Sequence, residues 1–181
     1  MEEGQGKGKA RTYNCQRNHH PLACRVVRAM NTAEIATSYA ERGWFVLPIF
    51  ARDKRPYFDL APHGYKSASN DVATVEKWFT NNPHLNIGIA CAISGLVVMD
   101  VDFRNGGTNE GLESQTFTVA TGDGLHYYYS APVGSTFPGK LRDGVDIKYN
   151  GYVVAGGSTH PNGKFHEVIC DLQPAPIMAF V

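Results

Sequence analysis

An Asp-x-Asp triplet at the end of an apolar run constrains this chain more than any other feature of its sequence. Residues 96–99 (LVVM) have the composition of a buried strand and lead directly into Asp100, Val101 and Asp102. Because successive side chains of a strand point to opposite faces, Asp100 and Asp102 share one face and Val101 takes the other. Two carboxylates on one face repel each other and resist removal from water. A fold that holds them there needs positively charged partners at the same place.

The same alternation places polar side chains on one face of two further predicted strands. In residues 125–130 (LHYYYS), His126 faces away from the leucine before it. In residues 144–150 (GVDIKYN), Asp146 and Lys148 share a face, and two apolar side chains take the other. If the polar sides of the three strands coincide, five side chains meet on one concave sheet surface: Asp100, Asp102, Asp146, His126 and Lys148.

Three converging carboxylates are typical of sites that hold divalent cations. Mg²⁺ prefers oxygen ligands and is commonly held by one or two carboxylates together with substrate phosphates. Two such ions about 3.5–4 Å apart activate an attacking hydroxyl and stabilise the leaving oxygen in phosphoryl transfer. A histidine and a lysine beside the carboxylates would contact a triphosphate. The pattern therefore predicts metal-dependent phosphoryl transfer.

Residues 31–83 are predicted to form a small α/β module. Asn31 and Glu34 have the spacing of a capping box, so the fold is expected to begin at Asn31 with a helix. A short buried strand is expected over residues 44–49 (WFVLPI), and a second helix from about residue 70 to residue 80. Apolar side chains at helical spacing support both helices.

Residues 84–170 are predicted to form a largely antiparallel sheet built from hairpins. The expected hairpins pair residues 86–90 with 96–102, residues 116–120 with 125–130, and residues 145–148 with 152–157. Residues 164–169 (KFHEVI) are expected to form a final strand. Residues 31–181 are thus interpreted as a single domain of α+β class.

Charge and cysteine content separate residues 1–30 from the rest of the chain. Six of the 17 Lys and Arg residues lie in this segment, which leaves residues 31–181 with 11 basic against 15 acidic side chains. A nucleic-acid contact by the main domain is therefore expected to be local. The CQRNHHPLAC stretch, residues 15–24, has cysteines and histidines at spacings that disfavour a structural zinc site. Residues 1–30 are predicted to be a disordered basic leader.

Hydropathy argues against a membrane segment. No apolar run approaches the about 18–20 residues that span a bilayer. The polar N-terminal residues lack the apolar centre of a secretory signal. A cytoplasmic location and no membrane partner are expected.

Several motifs, taken in order, resemble one known family. They are YAERGWFVLPI, DKRP, NIGIA, SGLVVMDVD, TGDGLHYYY and GVDIKYNGYVVAGGSTHPNGKF. Over roughly residues 33–170 this order resembles the bifunctional primase–polymerase domain of the archaeo-eukaryotic primase superfamily. The resemblance implies an RRM-like, largely antiparallel catalytic sheet beside the small N-terminal α/β module. It also implies synthesis and extension of primers on a DNA template by two-metal-ion catalysis, in replication of a mobile element.

The resemblance assigns roles to individual residues. Asp100 and Asp102 match the first metal-binding motif, and Asp146 matches the third acidic ligand. The resemblance, together with the shared face of Lys148, implies a nucleotide-binding set of Gly124, His126, Lys148, Ser158, His160 and Lys54. Gly156 and Gly157 stand where the family usually has prolines, which bears on nucleotide affinity and not on the metal ligands.

The implied cofactors and partners follow from the same family. Two Mg²⁺ or Mn²⁺ ions, single-stranded or primed DNA and NTPs or dNTPs are expected. A helicase is expected to be encoded separately or in a missing C-terminal region.

Two other functions compete with this interpretation. A catalytically degenerate RRM-like module would stack nucleic-acid bases on Tyr127, Tyr128, Tyr129 and Tyr152. A haloacid-dehalogenase-type phosphatase also uses a strand followed by Asp-x-Asp. That class needs a helix directly after the motif and a later acidic pair, and the sequence favours neither.

Overall fold

A computed structural model describes residues 30–112 and 115–177 of the 181-residue chain. The predicted basic leader, apart from Met30, and the cluster of cysteines and histidines in residues 15–24 lie outside the described residues.

Two ten-residue helices, α1 (Thr32–Glu41) and α2 (Val72–Asn81), pack against each other. The predicted capping box is confirmed, because Asn31 accepts the Glu34 amide and Glu34 accepts the Asn31 amide. The second helix begins later than expected, because the Asp71 carboxylate accepts the amide of Thr74 and caps α2 there. Among the described residues, no helix has the length and apolar character needed to cross a bilayer.

The strands of the described residues fall into two sheets. They are β1 (Phe45–Ile49), β2 (Asn86–Ala90), β3 (Leu96–Asp102), β4 (Phe117–Ala120), β5 (Gly124–Ser130), β6 (Lys140–Arg142), β7 (Val145–Lys148), β8 (Tyr152–Val154), β9 (Glu167–Cys170) and β10 (Ala175–Pro176). The small sheet has the order β1-β2-β8, and the large sheet has the order β6-β7-β3-β5-β4-β9 with β10 paired to β5. All pairs except β10–β5 are antiparallel. The predicted α+β class is confirmed.

One of the three predicted hairpins forms, and the other two were wrong. Strands β4 and β5 pair as expected. Strand β2 pairs with β1 and β8 in the small sheet, however, while β3 pairs with β5 and β7 in the large one. Strands β7 and β8 likewise belong to different sheets. The small sheet therefore takes two of its strands from beyond residue 83, where the α/β module was expected to end.

Two neighbouring crossovers explain these wrong pairings. A short 3₁₀ turn, Ala92–Ser94, and Gly95 with φ 66° redirect the chain between β2 and β3. The other crossover passes through Gly151, whose φ is 140°. The amide of Cys91 donates to the carbonyl of Gly151 over 2.9 Å, so the two crossovers lie side by side.

One face of the large sheet is apolar. The other face is apolar at the start of β3 and polar farther along that strand. Met99 and Val101 face a core that includes Val145 and Ile147. The opposite face of β3 begins with Leu96 and Val98, which pack in the core with the helices and the small sheet. Farther along β3, the face that carries Val98 carries Asp100. The sequence pattern therefore brings the polar positions to the point where the helices no longer cover the sheet.

Candidate active site

A cavity of about 680 Å³ lies where the polar part of the large sheet faces the small sheet. The large sheet contributes Asp100, His126 and Lys148 to its wall. The loop after β1 contributes Lys54, and β8 contributes Tyr152, whose hydroxyl donates to the Lys54 carbonyl over 2.7 Å. That hydrogen bond fixes the backbone of Lys54 beside the cavity.

The register of three strands puts Asp100 between two other predicted site residues. Asp100 lies directly opposite His126 of β5 and directly opposite Asp146 of β7. Paired residues of antiparallel strands carry their side chains on the same face at about 4.5–5.5 Å between Cβ atoms. The pairing therefore brings Asp100, His126 and Asp146 side by side on one face of the sheet.

Asp100 is ionised more readily than an ordinary aspartate. Burial raises the pKa of this carboxyl group, but a hydrogen bond from His126 and the positive charges of Lys148 and Lys54 outweigh burial and lower it. Nε2 of His126 lies 3.3 Å from Oδ1 of Asp100. One imidazole nitrogen of His126 is thus committed to the carboxylate.

Lys148 bridges the two cross-strand carboxylates. Its Nζ lies 2.7 Å from Oδ2 of Asp146 and 3.8 Å from Oδ2 of Asp100. Asp146 is not among the residues that line the cavity and is connected to it through this lysine. The ammonium group lies beside both carboxylates and reduces their mutual repulsion.

Asp102 lines the same cavity, but its carboxylate is held by the turn that follows its own strand. It accepts the Arg104 amide over 2.9 Å and the Asn105 side-chain amide over 2.9 Å, and it pairs with the Arg104 guanidinium at 3.2 Å. Burial raises the pKa of Asp102, but the hydrogen bonds and charge of Arg104 lower it further than burial raises it. Asp102 therefore caps the 3₁₀ turn Phe103–Asn105.

The donor set suits Mg²⁺ or Mn²⁺, although the carboxylates do not form a closed cage. Asp100, Asp102 and Asp146 offer hard oxygen ligands, which are those that these ions prefer. Among the described residues, no three His, Cys, Asp or Glu side chains are arranged as a metal site. The reason lies in the contacts above: Lys148 occupies the space between two carboxylates, and Arg104 holds the third.

Gly124 allows β5 to approach β3 closely beside the carboxylates. A Cβ atom at this position would lie 1.8 Å from the carbonyl oxygen of Val101, a backbone atom that cannot move aside. Gly124 also lines the cavity and pairs with Asp102. Its small size is thus required by strand packing, independently of any nucleotide.

We expect Gly124→Ala to lower the free energy of unfolding by about 1–3 kcal/mol, because the added methyl group must push two paired strands apart. Urea denaturation measures this change. Gly139→Ala is the matched control, since nothing lies within 4 Å of a Cβ atom there. Equal stability of the two variants would contradict the close-approach explanation.

Ser158 has a different place from the one that was predicted. Its side chain is 1% exposed, and its hydroxyl accepts the Ile87 amide over 2.9 Å and donates to the Ile87 carbonyl over 3.2 Å. It therefore ties the following loop to β2 and does not line the cavity. His160, two residues later, does line it.

Sequence reasoning missed several titratable residues of the cavity wall, among them Asp123 and His166. Asp123, in the turn between β4 and β5, pairs with Lys164 at 2.7 Å and with Arg104 at 3.6 Å. The hydrogen bond from Lys164 lowers the pKa of Asp123. His166, immediately before β9, is buried and lines the cavity. Alternation within KFHEVI, which puts Phe165 and Glu167 on the other face, is the signal that could have identified it.

The structure bears on both competing functions. Of the four tyrosines expected to stack nucleic-acid bases, Tyr127, Tyr128 and Tyr129 are at most 4% exposed and cannot do so, whereas Tyr152 is half-buried and lines the cavity. Strand β3 is antiparallel to both of its neighbours, and a 3₁₀ turn follows its Asp-x-Asp. A haloacid-dehalogenase-type site requires a parallel sheet and a helix at these places.

Comparison with known proteins gives a match that covers the whole cavity region. A family model described as Prim-Pol, "Bifunctional DNA primase/polymerase, N-terminal", matches residues 36–178. The matched segment contains every cavity residue named above. No curated protein matches the chain.

Proposed function

Because the chain belongs to the bifunctional DNA primase/polymerase family, we propose that it is a template-dependent nucleotidyltransferase that synthesises or extends primers on DNA. The resemblance predicted from the ordered motifs is confirmed by the family match. The observation that carries the proposal for this chain is the cross-strand alignment of Asp100 with His126 and Asp146 beside a cavity of about 680 Å³.

The carboxylates are proposed to hold two Mg²⁺ or Mn²⁺ ions. Asp100 and Asp146 are the proposed core of the site, and Asp102 joins it when its carboxylate is released from Arg104. Bound divalent ions would activate the attacking hydroxyl and stabilise the leaving oxygen. The Nε2–carboxylate contact from His126 orients Asp100, whose lowered pKa keeps it ionised and able to bind a cation.

The basic residues of the cavity are proposed to bind the incoming nucleotide. Lys54, from the loop after β1, and His160, from the loop after β8, line the wall. Lys148 is the proposed mobile cation: it bridges Asp100 and Asp146 in the free protein and contacts the nucleotide phosphates when metal ions take its place. Replication of a mobile element and a separately encoded helicase are further parts of this proposal and rest on the family alone.

We expect Lys148→Ala to tighten Mn²⁺ binding by up to about fivefold, because partly exposed ion pairs of this kind contribute at most about 1 kcal/mol and the ion no longer displaces them. The nucleotide KM is expected to rise in the same variant, because one phosphate contact is lost. Titration of free Mn²⁺ by electron paramagnetic resonance measures the metal affinity.

Two further variants give that measurement a comparison and a control. Asp146→Asn keeps the shape of the side chain but removes a charge, so it should weaken Mn²⁺ binding and incorporation much more than template binding. Lys77→Ala, on the exposed face of α2, is the matched lysine control and should change neither. Weaker Mn²⁺ binding in Lys148→Ala would show that the lysine does not compete with metal ions.

The function is tested by primer synthesis and primer extension on DNA. The full chain is incubated with single-stranded or primed DNA, with NTPs or dNTPs, and with Mg²⁺ or Mn²⁺ in all combinations. We expect incorporation in at least one combination, and its loss when EDTA is added. Absence of incorporation in every combination, with the fold intact by circular dichroism, would overturn the proposal.

A further inference from the structure

His166 is a buried imidazole with two unpaired nitrogens in the wall of the cavity. The residue is 3% exposed, and within the described residues neither Nδ1 nor Nε2 makes a hydrogen bond of ordinary length and angle, although a backbone group of Val154 lies close enough to favour the protonated ring. Its backbone is well fixed, because its amide donates to the Ser158 carbonyl over 2.8 Å and its carbonyl accepts the Gly157 amide over 2.9 Å. A buried polar group without a partner destabilises a protein, and in a cavity wall it indicates a ligand contact.

The titratable side chains that act on His166 are all basic. Its ring stacks on His160, with ring centroids 5.8 Å apart and planes at 26°, and it meets His126 edge-on at 6.2 Å. The Lys54 charge also acts on it. We call this group, His126, His160, His166 and Lys54, the histidine corner.

The turn between β4 and β5 shapes the histidine corner. A Cβ atom at Gly122 would lie 2.7 Å from the ring of His160, so only glycine lets the turn pack on that ring. The amide of Asn162 donates to Nδ1 of His160 over 3.2 Å and restrains the ring further. The imidazole that stacks on His166 is therefore held in one orientation.

Burial and neighbouring positive charge keep His166 neutral. Burial lowers the pKa of His166 to about 4, and the nearby positive charges of His126, His160 and Lys54 act in the same direction, against a smaller opposing effect from the backbone of Val154. A polyanion placed among these side chains would reverse the balance, since it favours a protonated imidazole and satisfies its N–H groups.

We propose that His166 is a phosphate ligand for the triphosphate tail of the incoming nucleotide, and that it takes up a proton as the tail binds. The proposal deepens the proposed function and rests on it for the identity of the nucleotide. It makes nucleotide affinity depend on pH: between the pKa values of the free and the bound state, binding strengthens by about tenfold for each unit fall in pH. Phosphate binding by the neighbouring His126 is not required for this effect.

The test uses inorganic tripolyphosphate as the probe, with EDTA present and the full chain as the protein. Isothermal titration calorimetry at pH 6, 7 and 8, in two buffers of different ionisation enthalpy, measures affinity and proton uptake together. For the wild type we expect affinity to rise as the pH falls. For His166→Phe, which keeps a buried ring, we expect at least tenfold weaker binding at pH 6 and uptake of about one proton fewer.

Two controls separate a ligand role from a structural one. His166→Gln keeps hydrogen-bonding capacity but cannot titrate, so it should flatten the pH dependence while retaining part of the affinity. His84→Asn, an exposed histidine away from the cavity, should behave like the wild type. Because every variant is titrated with the same probe, the protons that tripolyphosphate itself binds cancel when the variants are compared. Circular dichroism and thermal unfolding verify that each variant is folded.

Three outcomes would overturn the proposal: wild-type protein that binds no tripolyphosphate at pH 6, His166→Phe with wild-type affinity, or His166→Phe with wild-type proton uptake. Primer extension with Mg²⁺, measured in parallel, keeps the two proposals distinguishable. If the wild type incorporates nucleotides but its anion binding does not depend on His166, only the proposed role of His166 is refuted. If anion binding depends on His166 but no nucleotide is incorporated on DNA, the proposed polymerase activity is refuted and the proposed anion site is retained.

Discussion

Replacement of Asp100 by asparagine is expected to lower nucleotide incorporation by about a thousandfold or more. Metal-ion stabilisation of a phosphoryl-transfer transition state is worth several kcal/mol, and a loss of about 4 kcal/mol corresponds to that factor. Asp100 is the central residue because its strand pairs with the strands of both His126 and Asp146. Its loss therefore removes the only carboxylate that the described structure places in register with both. Single-turnover primer extension measures the effect.

The asparagine substitution is chosen to keep the fold. Its amide oxygen can still accept a hydrogen bond from Nε2 of the partly buried His126, which alanine cannot do. Template affinity, measured by fluorescence anisotropy, is expected to be unchanged within about twofold. Asp143→Asn removes an exposed carboxylate that pairs with Lys140 and is the matched control. Incorporation by Asp100→Asn at the rate of that control would refute the metal site.

Acidification from pH 6.5 to pH 4 is expected to lower the free energy of unfolding by about 3 kcal/mol through His166 alone. The pKa of His166 lies at about 4 in the folded protein against a usual value of 6.5. Between these values the unfolded chain binds a proton that the folded chain does not, so stability rises with pH across the window and falls as acid is added. Well above pH 6.5 both states are neutral at this residue and the effect vanishes.

Urea denaturation of wild type and His166→Phe at pH 7, 5.5 and 4.5 measures this contribution. Phenylalanine has no titrating group, so its stability should fall less between pH 7 and pH 4.5. The Asp53 carboxyl group, whose pKa is lowered to about 2 by Arg55, loses its contribution only below about pH 4 and does not interfere. His84→Asn should follow the wild type. Parallel curves for wild type and His166→Phe would contradict the buried, neutral histidine.

Asp100 and His166 lie in two parts of one cavity wall, with His126 in contact with both. Around Asp100, negative charge is already compensated by His126 and Lys148, so the carboxylate stays ionised. Around His166, burial and the positive charges of His126, His160 and Lys54 lower the pKa, so the imidazole stays neutral. In the proposed function, a nucleotide triphosphate with divalent ions would bring cations to the carboxylates and phosphate to the histidines.

The part of the site that local alternation controls was predictable from the sequence. Asp100, His126 and Asp146 each follow or interrupt an apolar strand, and alternation puts each on the polar face without reference to any other strand. The register then aligns them side by side. The helix start at Asn31 was predictable for the same reason, because a capping box involves only neighbours three residues apart.

The pairing of the strands was harder to predict. Strands β2 and β3 are close enough in sequence to form a hairpin, and so are β7 and β8, yet each pair is divided between two sheets. The glycine at residue 95 is compatible with either a hairpin turn or a crossover. The choice between them depends on β1 and the helices, which offer β2 a second apolar surface.

Individual site residues depended on the same long-range packing. Ser158 has the sequence context of a nucleotide contact, but the small sheet takes up its hydroxyl for the backbone of Ile87. Lys148 was expected to face the phosphates, and it is held by the carboxylate two residues before it and by the one across the strand. Such choices arise among side chains that are far apart in sequence.

By itself, the sequence determined the α+β class, the polar face of β3, β5 and β7, and the family, because these depend on short-range alternation and on motifs in a fixed order. Only the tertiary structure decided which strands share a sheet, that Arg104 holds Asp102, and that His166 lies buried and unpaired beside His126 and His160. The physical reason is that burial and charge pairing depend on the distance between groups in space. Chain segments more than 100 residues apart, such as Lys54 and His166, meet in this cavity.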